Sequence, residues 1–448
     1  MTSPETRELQ IEGLAAGGRG LGRAGGMVWF VPGALPGDRV LAEVRRKHAS
    51  YVEGRLVRRT TASPDRRRPP CPLQPECGGC PWMALNEAAQ RGWKRRLVRD
   101  ALERIGQNDV EVQEVRAPSA PLGYRNKVEF TLGRGADGAP AVGLHPVDPD
   151  RKGLVDVERC AIQTDPANAV LATARKLLIQ QADRWLAAAD RTPEPFRLVV
   201  RSSSAGEVLV ALRETITPFP DAVRFAERLA AAHPELAGVV RIRALAGQRG
   251  GARVLPLTGR SWLEERIGEV TFRLPAASFL QVNSRAAELL LQLVREGVGR
   301  PAETSVIELY GGAGAFGVNL ARSGATVTVC EADLAAVRSG REAARGKTSN
   351  VTFVHADVGA FLRKCKTEGR RADVVVADPP RAGLGRRLPE QIAALNPRRV
   401  VLVSCDPATL ARDTRRLTAA GLVAQRAVPV DVFPQTAHVE TVLTLVRA

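Results

Sequence analysis

Across the C-terminal third of the chain, short uninterrupted apolar runs recur between stretches of helical period. They are Ser305-Val-Ile-Glu-Leu-Tyr, Ala325-Thr-Val-Thr-Val-Cys-Glu, Val351-Thr-Phe-Val, Ala372-Asp-Val-Val-Val-Ala, Arg399-Val-Val-Leu-Val-Ser, Val423–Val430 and Glu440-Thr-Val-Leu-Thr-Leu-Val. Runs without polar alternation are strands buried on both faces, and their alternation with helices predicts a doubly wound parallel α/β sheet over residues 276–448. The pattern differs at the other end, where Leu9-Gln-Ile-Glu, Met27-Val-Trp-Phe-Val, Arg39-Val-Leu-Ala-Glu-Val and Tyr51-Val-Glu-Gly-Arg-Leu-Val are separated by a glycine-rich loop and tight Gly/Pro turns. Short strands at this spacing predict a small OB-like β-barrel over residues 1–60. Neighbouring strand residues face opposite sides, so one of Trp29 and Phe30 is expected inside the barrel and the other outside, as a stacking face for a base. Residues 61–275 mix strands with helices such as Ala167–Ala188 and read as an α+β region. Within it, residues 60–70 read as a polar, basic linker, and Glu87–Ile105 as a helix burying Trp93, Leu97, Ala101 and Ile105.

The chain has 448 residues, enough for about three domains. Its N-terminal Met-Thr-Ser-Pro-Glu-Thr-Arg-Glu has no basic lead into an apolar run, and nowhere do 18 apolar residues follow one another. The expectation is a cytoplasmic protein that engages no membrane. A net charge of +17 points instead to a polyanionic partner such as nucleic acid. Residues 1–70 carry 13 basic and 7 acidic side chains, against 20 and 14 in the twice longer segment 301–448. The excess is therefore densest in the barrel, which favours RNA binding there over uniform compositional bias.

Seven cysteines, an odd number, make a disulfide framework improbable. Cys71, Cys77 and Cys80 form a C-x5-C-x2-C loop and Cys160 stands apart; four soft thiolates suit tetrahedral zinc or an iron–sulfur cluster, and spacing does not decide. Cys330 and Cys365 read as structural. Gly312-Ala-Gly314-Ala-Phe-Gly317 follows a predicted strand and opens a predicted helix, and Glu331 ends the next strand, placed to accept hydrogen bonds from ribose hydroxyls. That loop fits a nicotinamide dinucleotide and S-adenosylmethionine alike. Asp378-Pro-Pro-Arg-Ala-Gly383 ends a further strand, in a form familiar from nucleic-acid methyltransferases. Cys405, at the following strand end, is a candidate nucleophile, and Glu440, entering the last strand, a candidate base.

Taken together these residues resemble the RNA uracil-5-methyltransferase family, most closely its bacterial 23S ribosomal RNA branch. The resemblance spans the chain: a TRAM-like barrel with Val31-Pro-Gly-Ala-Leu-Pro-Gly-Asp38, the cysteine loop, Phe279-Leu-Gln281-Val-Asn283, Glu308-Leu-Tyr310-Gly, Asp378-Pro-Pro-Arg-Ala-Gly, Ser404–Asp413 and His438-Val-Glu440. It implies a 4Fe-4S cluster on Cys71, Cys77, Cys80 and Cys160. It further implies S-adenosylmethionine contacts at Gln281, Tyr310, Gly312, Glu331, Asp357 and Asp378, with Cys405 and Glu440 as nucleophile and base. Methylation of uracil C5 in ribosomal RNA by a monomer is the implied activity, with transfer RNA as the alternative substrate. Ala315 stands where the family often has Asn, and Asp406 where Asn is common. A nicotinamide oxidoreductase would leave Cys405 and Asp378-Pro-Pro unexplained, and a metal-containing RNA-binding assembly factor would not need Cys405 and Glu440.

Overall fold

The computed structural model describes residues 5–448 apart from 16, 193, 215–216, 245–251, 279, 303 and 347, and only the backbone of 244 and 252. Phe279 of the Phe-Leu-Gln-Val-Asn motif thus lies outside the described residues.

The N-terminal strands close a five-stranded barrel in the order Thr6–Leu14, Gly20–Ala24, Met27–Val31, Tyr51–Thr61, Arg39–Lys47. One of these strands, Gly20–Ala24, falls where the sequence suggests only a glycine-rich loop. Close packing explains the composition: a Cβ on Gly20 would lie 2.6 Å from the Ala34 carbonyl oxygen, and one on Gly22 2.9 Å from that of Gln10. Trp29 fills the barrel core at 3% exposure, whereas Phe30 is half-buried on the outside with the Arg19 guanidinium 4.8 Å from its ring centroid. The expected linker is ordered rather than slack. Buried Asp38 accepts hydrogen bonds from the Leu35 and Ser63 amides, each at 2.8 Å, and from Arg66 at 2.8 and 2.7 Å.

A seven-stranded, mostly antiparallel sheet occupies the middle of the chain, in the order Ala252–Gly259, Leu236–Ala244, Val208–Glu214, Arg197–Ser202, Lys127–Arg134, Pro140–Leu144, Val155–Asp156. The predicted helix over 167–188 is two helices, Asp165–Ile179 and Ala182–Ala189. The helix Glu87–Arg104 forms, but its buried face is Gln90, Lys94, Val98, Ala101 and Leu102, while Ile105 is exposed. Two of those buried positions are polar, so apolar periodicity misplaces the face.

The C-terminal sheet runs Val351–His355, Thr326–Glu331, Ser305–Leu309, Val374–Ala377, Arg399–Ser404, Glu440–Arg447, Leu422–Val430, Glu111–Val112. Its first five strands are parallel, with apolar cores on both faces. Glu440–Arg447 departs from the all-parallel expectation, pairing antiparallel with both neighbours. That reversal has a geometric result: the start of this strand lies at the same rim as the carboxyl ends of the others. Two segments from the region 61–275 also pack here, the helix Glu87–Arg104 with the edge strand Glu111–Val112, and the hairpin formed by Trp262–Ile267 and Val270–Pro275.

Candidate active site

A cavity of about 620 Å³ opens at the carboxyl-end rim of the C-terminal sheet, where ligands bind in doubly wound folds. Gln281, Tyr310, Gly312, Glu331, Asp378, Cys405 and Glu440 all line it. Asp357 does not; it caps the helix Val358–Thr367, its carboxylate accepting the Ala360 amide hydrogen at 2.9 Å.

The glycine loop explains one wall. Tyr310 takes a left-handed backbone conformation with φ of 58°, uncommon for a residue with a Cβ and often found at ligand sites. Gly311 allows close approach to the next strand: a Cβ there would sit 2.4 Å from Val329 Cγ1. The Gly312 amide donates to Glu331 Oε2 at 2.9 Å, and the Gly317 amide to Glu308 Oε2 at 2.8 Å. In a dinucleotide site such glycine-loop amides face a pyrophosphate. Here carboxylates already occupy both.

Glu308, Glu331, Asp333, Asp378 and Glu440 face the cavity, with Arg381 as the cation among them. Burial pushes the Glu308 carboxyl up to about 8 and Asp378 up to about 7. Glu440 is 3% exposed and also rises well above its ordinary value, through burial and then the Asp378 charge. A bound cation would favour the ionised forms of these buried acids, whereas a pyrophosphate would suppress them further, so the site suits a cationic ligand.

The opposite wall carries Cys405 and Glu440. Ser404 pairs with Thr441 across the antiparallel ladder, which brings Glu440 beside Cys405. The Cys405 thiol is partly exposed to the cavity, and burial pushes its pKa up, helped by Glu440 and Asp378 and opposed by Arg381. Arg381 donates to His438 Nδ1 at 3.3 Å, and burial together with nearby cations holds His438 below its ordinary value, neutral enough to accept that bond. The Asp378 loop is braced from the helix Pro407–Ala419, whose Thr409 donates to the Arg381 carbonyl at 3.0 Å and whose buried Asp413 accepts the Leu384 amide hydrogen at 2.7 Å. Asp406 is that helix's N-cap, accepting the Thr409 amide hydrogen at 2.8 Å, a duty Asn performs equally well. Glu308, Arg381 and His438 also line the cavity, and sequence reasoning assigns them no role. For Glu308 the available signal was a lone acid inside an apolar strand.

Cys71, Cys77, Cys80 and Cys160 are all buried, and none forms a disulfide. Burial raises the Cys80 thiol strongly, and the other three cysteines add to the effect, so the four lie within electrostatic reach of one another. The Gly79 amide donates to Cys77 Sγ at 3.4 Å. Among the described residues, no three His, Cys, Asp or Glu side chains are grouped to hold a single metal ion. Among those residues, too, no helix is long and apolar enough to cross a membrane.

Comparison with known proteins fits this geometry. Residues 260–448 match the family model described as tRNA (Uracil-5-)-methyltransferase, and residues 4–57 match the TRAM domain. An uncharacterized RNA methyltransferase of Gloeobacter violaceus is 35% identical over 99% of this chain and 97% of its own length. Another, from Nitratidesulfovibrio vulgaris, is 36% identical over 98% and 96%. Among solved structures, Pyrococcus abyssi tRNA (uracil-54, C5)-methyltransferase in complex with S-adenosyl-L-homocysteine shares the fold, with a TM-score of 0.74 over 98% of this chain and 100% of that one, at 24% identity.

Proposed function

This chain belongs to the RNA uracil-5-methyltransferase family, and from that premise we propose that it methylates C5 of a uridine in ribosomal RNA through a covalent bond between Cys405 and C6, giving 5-methyluridine. The observation that carries the reading is the convergence of Cys405 and Glu440 on one wall of an acid-lined cavity. S-adenosylmethionine supplies an electrophilic methyl group on a cationic sulfur. Gln281, Tyr310, Glu331 and Asp378 are the residues that would hold it, and their surroundings suit its charge. Cys405, as thiolate, attacks C6, and the electrons of the 5,6 double bond pass to C5, making that otherwise poor nucleophile competent to take the methyl group. Glu440 then removes the C5 proton, the double bond reforms and the thiolate leaves. A stacked base cannot present C5 and C6 together to both walls, so the target uridine is flipped out or lies in a loop. The barrel, with Phe30 and Arg19 outward, is the RNA-positioning module in this reading, and residues 1–60, 61–275 and 276–448 are its three units, acting as a monomer.

Mapping 5-methyluridine by mass spectrometry in ribosomal and transfer RNA, from cells with and without this protein, tests the proposal. Loss at one or more 23S uridines is expected. Loss confined to transfer RNA would move the target, and no loss in either RNA would overturn the reading.

The pH profile offers a second check. Cys405 and Glu440 both act deprotonated and both have raised pKa values, so activity should fall as pH drops through a limb well above the ordinary carboxylate range. Arg381 opposes both shifts, so Arg381→Met should move that limb to higher pH and slow turnover several-fold at neutrality.

A 4Fe-4S cluster on Cys71, Cys77, Cys80 and Cys160 completes the reading, supported by four buried thiols, none in a disulfide, and by the Gly79 amide that donates to Cys77 Sγ. Anaerobically purified protein should be brown, with about four irons per chain. Cys160→Ser should remove the iron and Cys330→Ser should not; a colourless protein holding one zinc would sink the assignment.

A further inference from the structure

The segment Asp431–Val439 joins Leu422–Val430 to the strand that Glu440 begins, and it sends Phe433, His438 and Val439 into the cavity. Five successive residues of it are held by groups outside the C-terminal sheet. Lys94, fully buried, forms an ion pair with Asp431 and donates to the Phe433 carbonyl at 3.0 Å. Asn283 donates to the Val432 carbonyl at 3.0 Å, and the Tyr124 hydroxyl to the Pro434 carbonyl at 2.9 Å. Gln435 is the hub. It is fully buried with φ of 71°, and its side-chain oxygen accepts from Gln90 and Arg67, each at 2.9 Å. Its amide donates to Gln90 Oε1 at 2.9 Å, and its carbonyl accepts the Trp82 amide hydrogen at 3.0 Å.

Trp82 and Tyr124 connect this seat to the cysteine loop. Trp82 stands two residues after Cys80 and reaches back to the barrel, its indole N–H donating to the Gly18 carbonyl at 3.2 Å. Tyr124 shares one apolar core with Cys71, Cys80 and Cys160. We infer that Lys94, Tyr124 and Gln435 are positioning residues for Glu440, and that the cysteine loop acts on the reaction through this seat, by fixing the 431–440 segment against Cys405. A buried network satisfied on every side has one low-energy arrangement, which is what a base placed beside a transient adduct requires. The role assigned to Glu440 rests on the function proposed above; the network itself does not.

Hydrogen exchange of peptides covering 431–440 tests the inference, alongside kinetics, in two variants chosen to fold. Tyr124→Phe loses only the hydroxyl. Lys94→Met with Asp431→Leu removes both buried charges together, so that neither is left unpaired. In each, exchange of this segment should rise roughly ten-fold while the barrel is unchanged. Affinity for S-adenosylmethionine should hold, and the fraction of enzyme trapped on RNA as the methylated adduct should increase, because proton removal slows and methyl transfer does not. Cys80→Ser should raise exchange in the same segment without touching it. Wild-type exchange there in both variants would overturn the inference, as would a rise spread over the whole chain together with loss of cofactor binding. If the native protein forms no adduct with any RNA, the functional reading fails, and the exchange measurement still decides the network.

Discussion

Cys405→Ala should lower methyl transfer by at least about 10⁴-fold, because the step it removes converts C5 from a poor nucleophile into a competent one. The effect should be confined to chemistry. Cys405 lies on the wall facing the glycine loop and makes none of that loop's hydrogen bonds, so S-adenosylmethionine and RNA should still bind. Denaturing gel electrophoresis after mixing with RNA containing 5-fluorouridine is the direct measurement. Native protein should be shifted to a stable protein–RNA species, since fluorine cannot leave C5 as a cation, and the alanine variant should show none. An adduct formed by Cys405→Ala would transfer the nucleophile's role to another residue.

Glu440→Gln should fail at the other end of the cycle. Loss of a general base costs about 10²–10⁴-fold in turnover, but here it should come with a product of its own. Sulfur addition and methyl transfer need no proton removal from C5, so a covalent species already carrying the new methyl group should accumulate on ordinary RNA. The substitution is nearly isosteric, and burial and the Asp378 charge both oppose the charged form that it removes, so folding should be little disturbed. Intact mass spectrometry of the complex reads both the bond and the methyl group. Methylated RNA released at the normal rate would assign the base to a different group, with Asp378, the carboxyl whose charge acts on Glu440, the first candidate.

Much of this site was legible because the chemistry sits at strand ends, where short motifs keep fixed offsets from apolar runs. The glycine loop, Glu331, the Asp378 loop and Cys405 needed only the strand–helix alternation to fall on one rim. Glu440 was harder to place. An all-parallel sheet would put the start of the last strand at the far edge from Cys405, and no local pattern announces that Glu440–Arg447 runs the other way. Lys94 and Gln90 escaped for a related reason: polar side chains on a buried helix face look like surface until the partner that satisfies them, here the 431–435 segment, is known. Asp357 stands apart from the other cofactor contacts that the resemblance implies: it caps a helix and does not line the cavity. In the barrel, glycine misled because it can mark either a turn or a close backbone approach.

The edge strand Glu111–Val112 and the helix before it bear on how such a protein can be recombined. Val98, Ala101, Leu102, Val110 and Val112 share one apolar cluster with Leu410, Leu417 and Leu422. A gene fragment beginning at residue 276 would therefore encode a sheet with an unpaired edge at Leu422–Val430 and a bare greasy flank, both invitations to aggregation. The C-terminal sheet is consequently not a portable cassette. Shuffling between relatives can exchange it only together with the hairpin over 262–275 and with residues 87–112, so stretches of sequence roughly 150 residues apart are expected to be replaced as one unit.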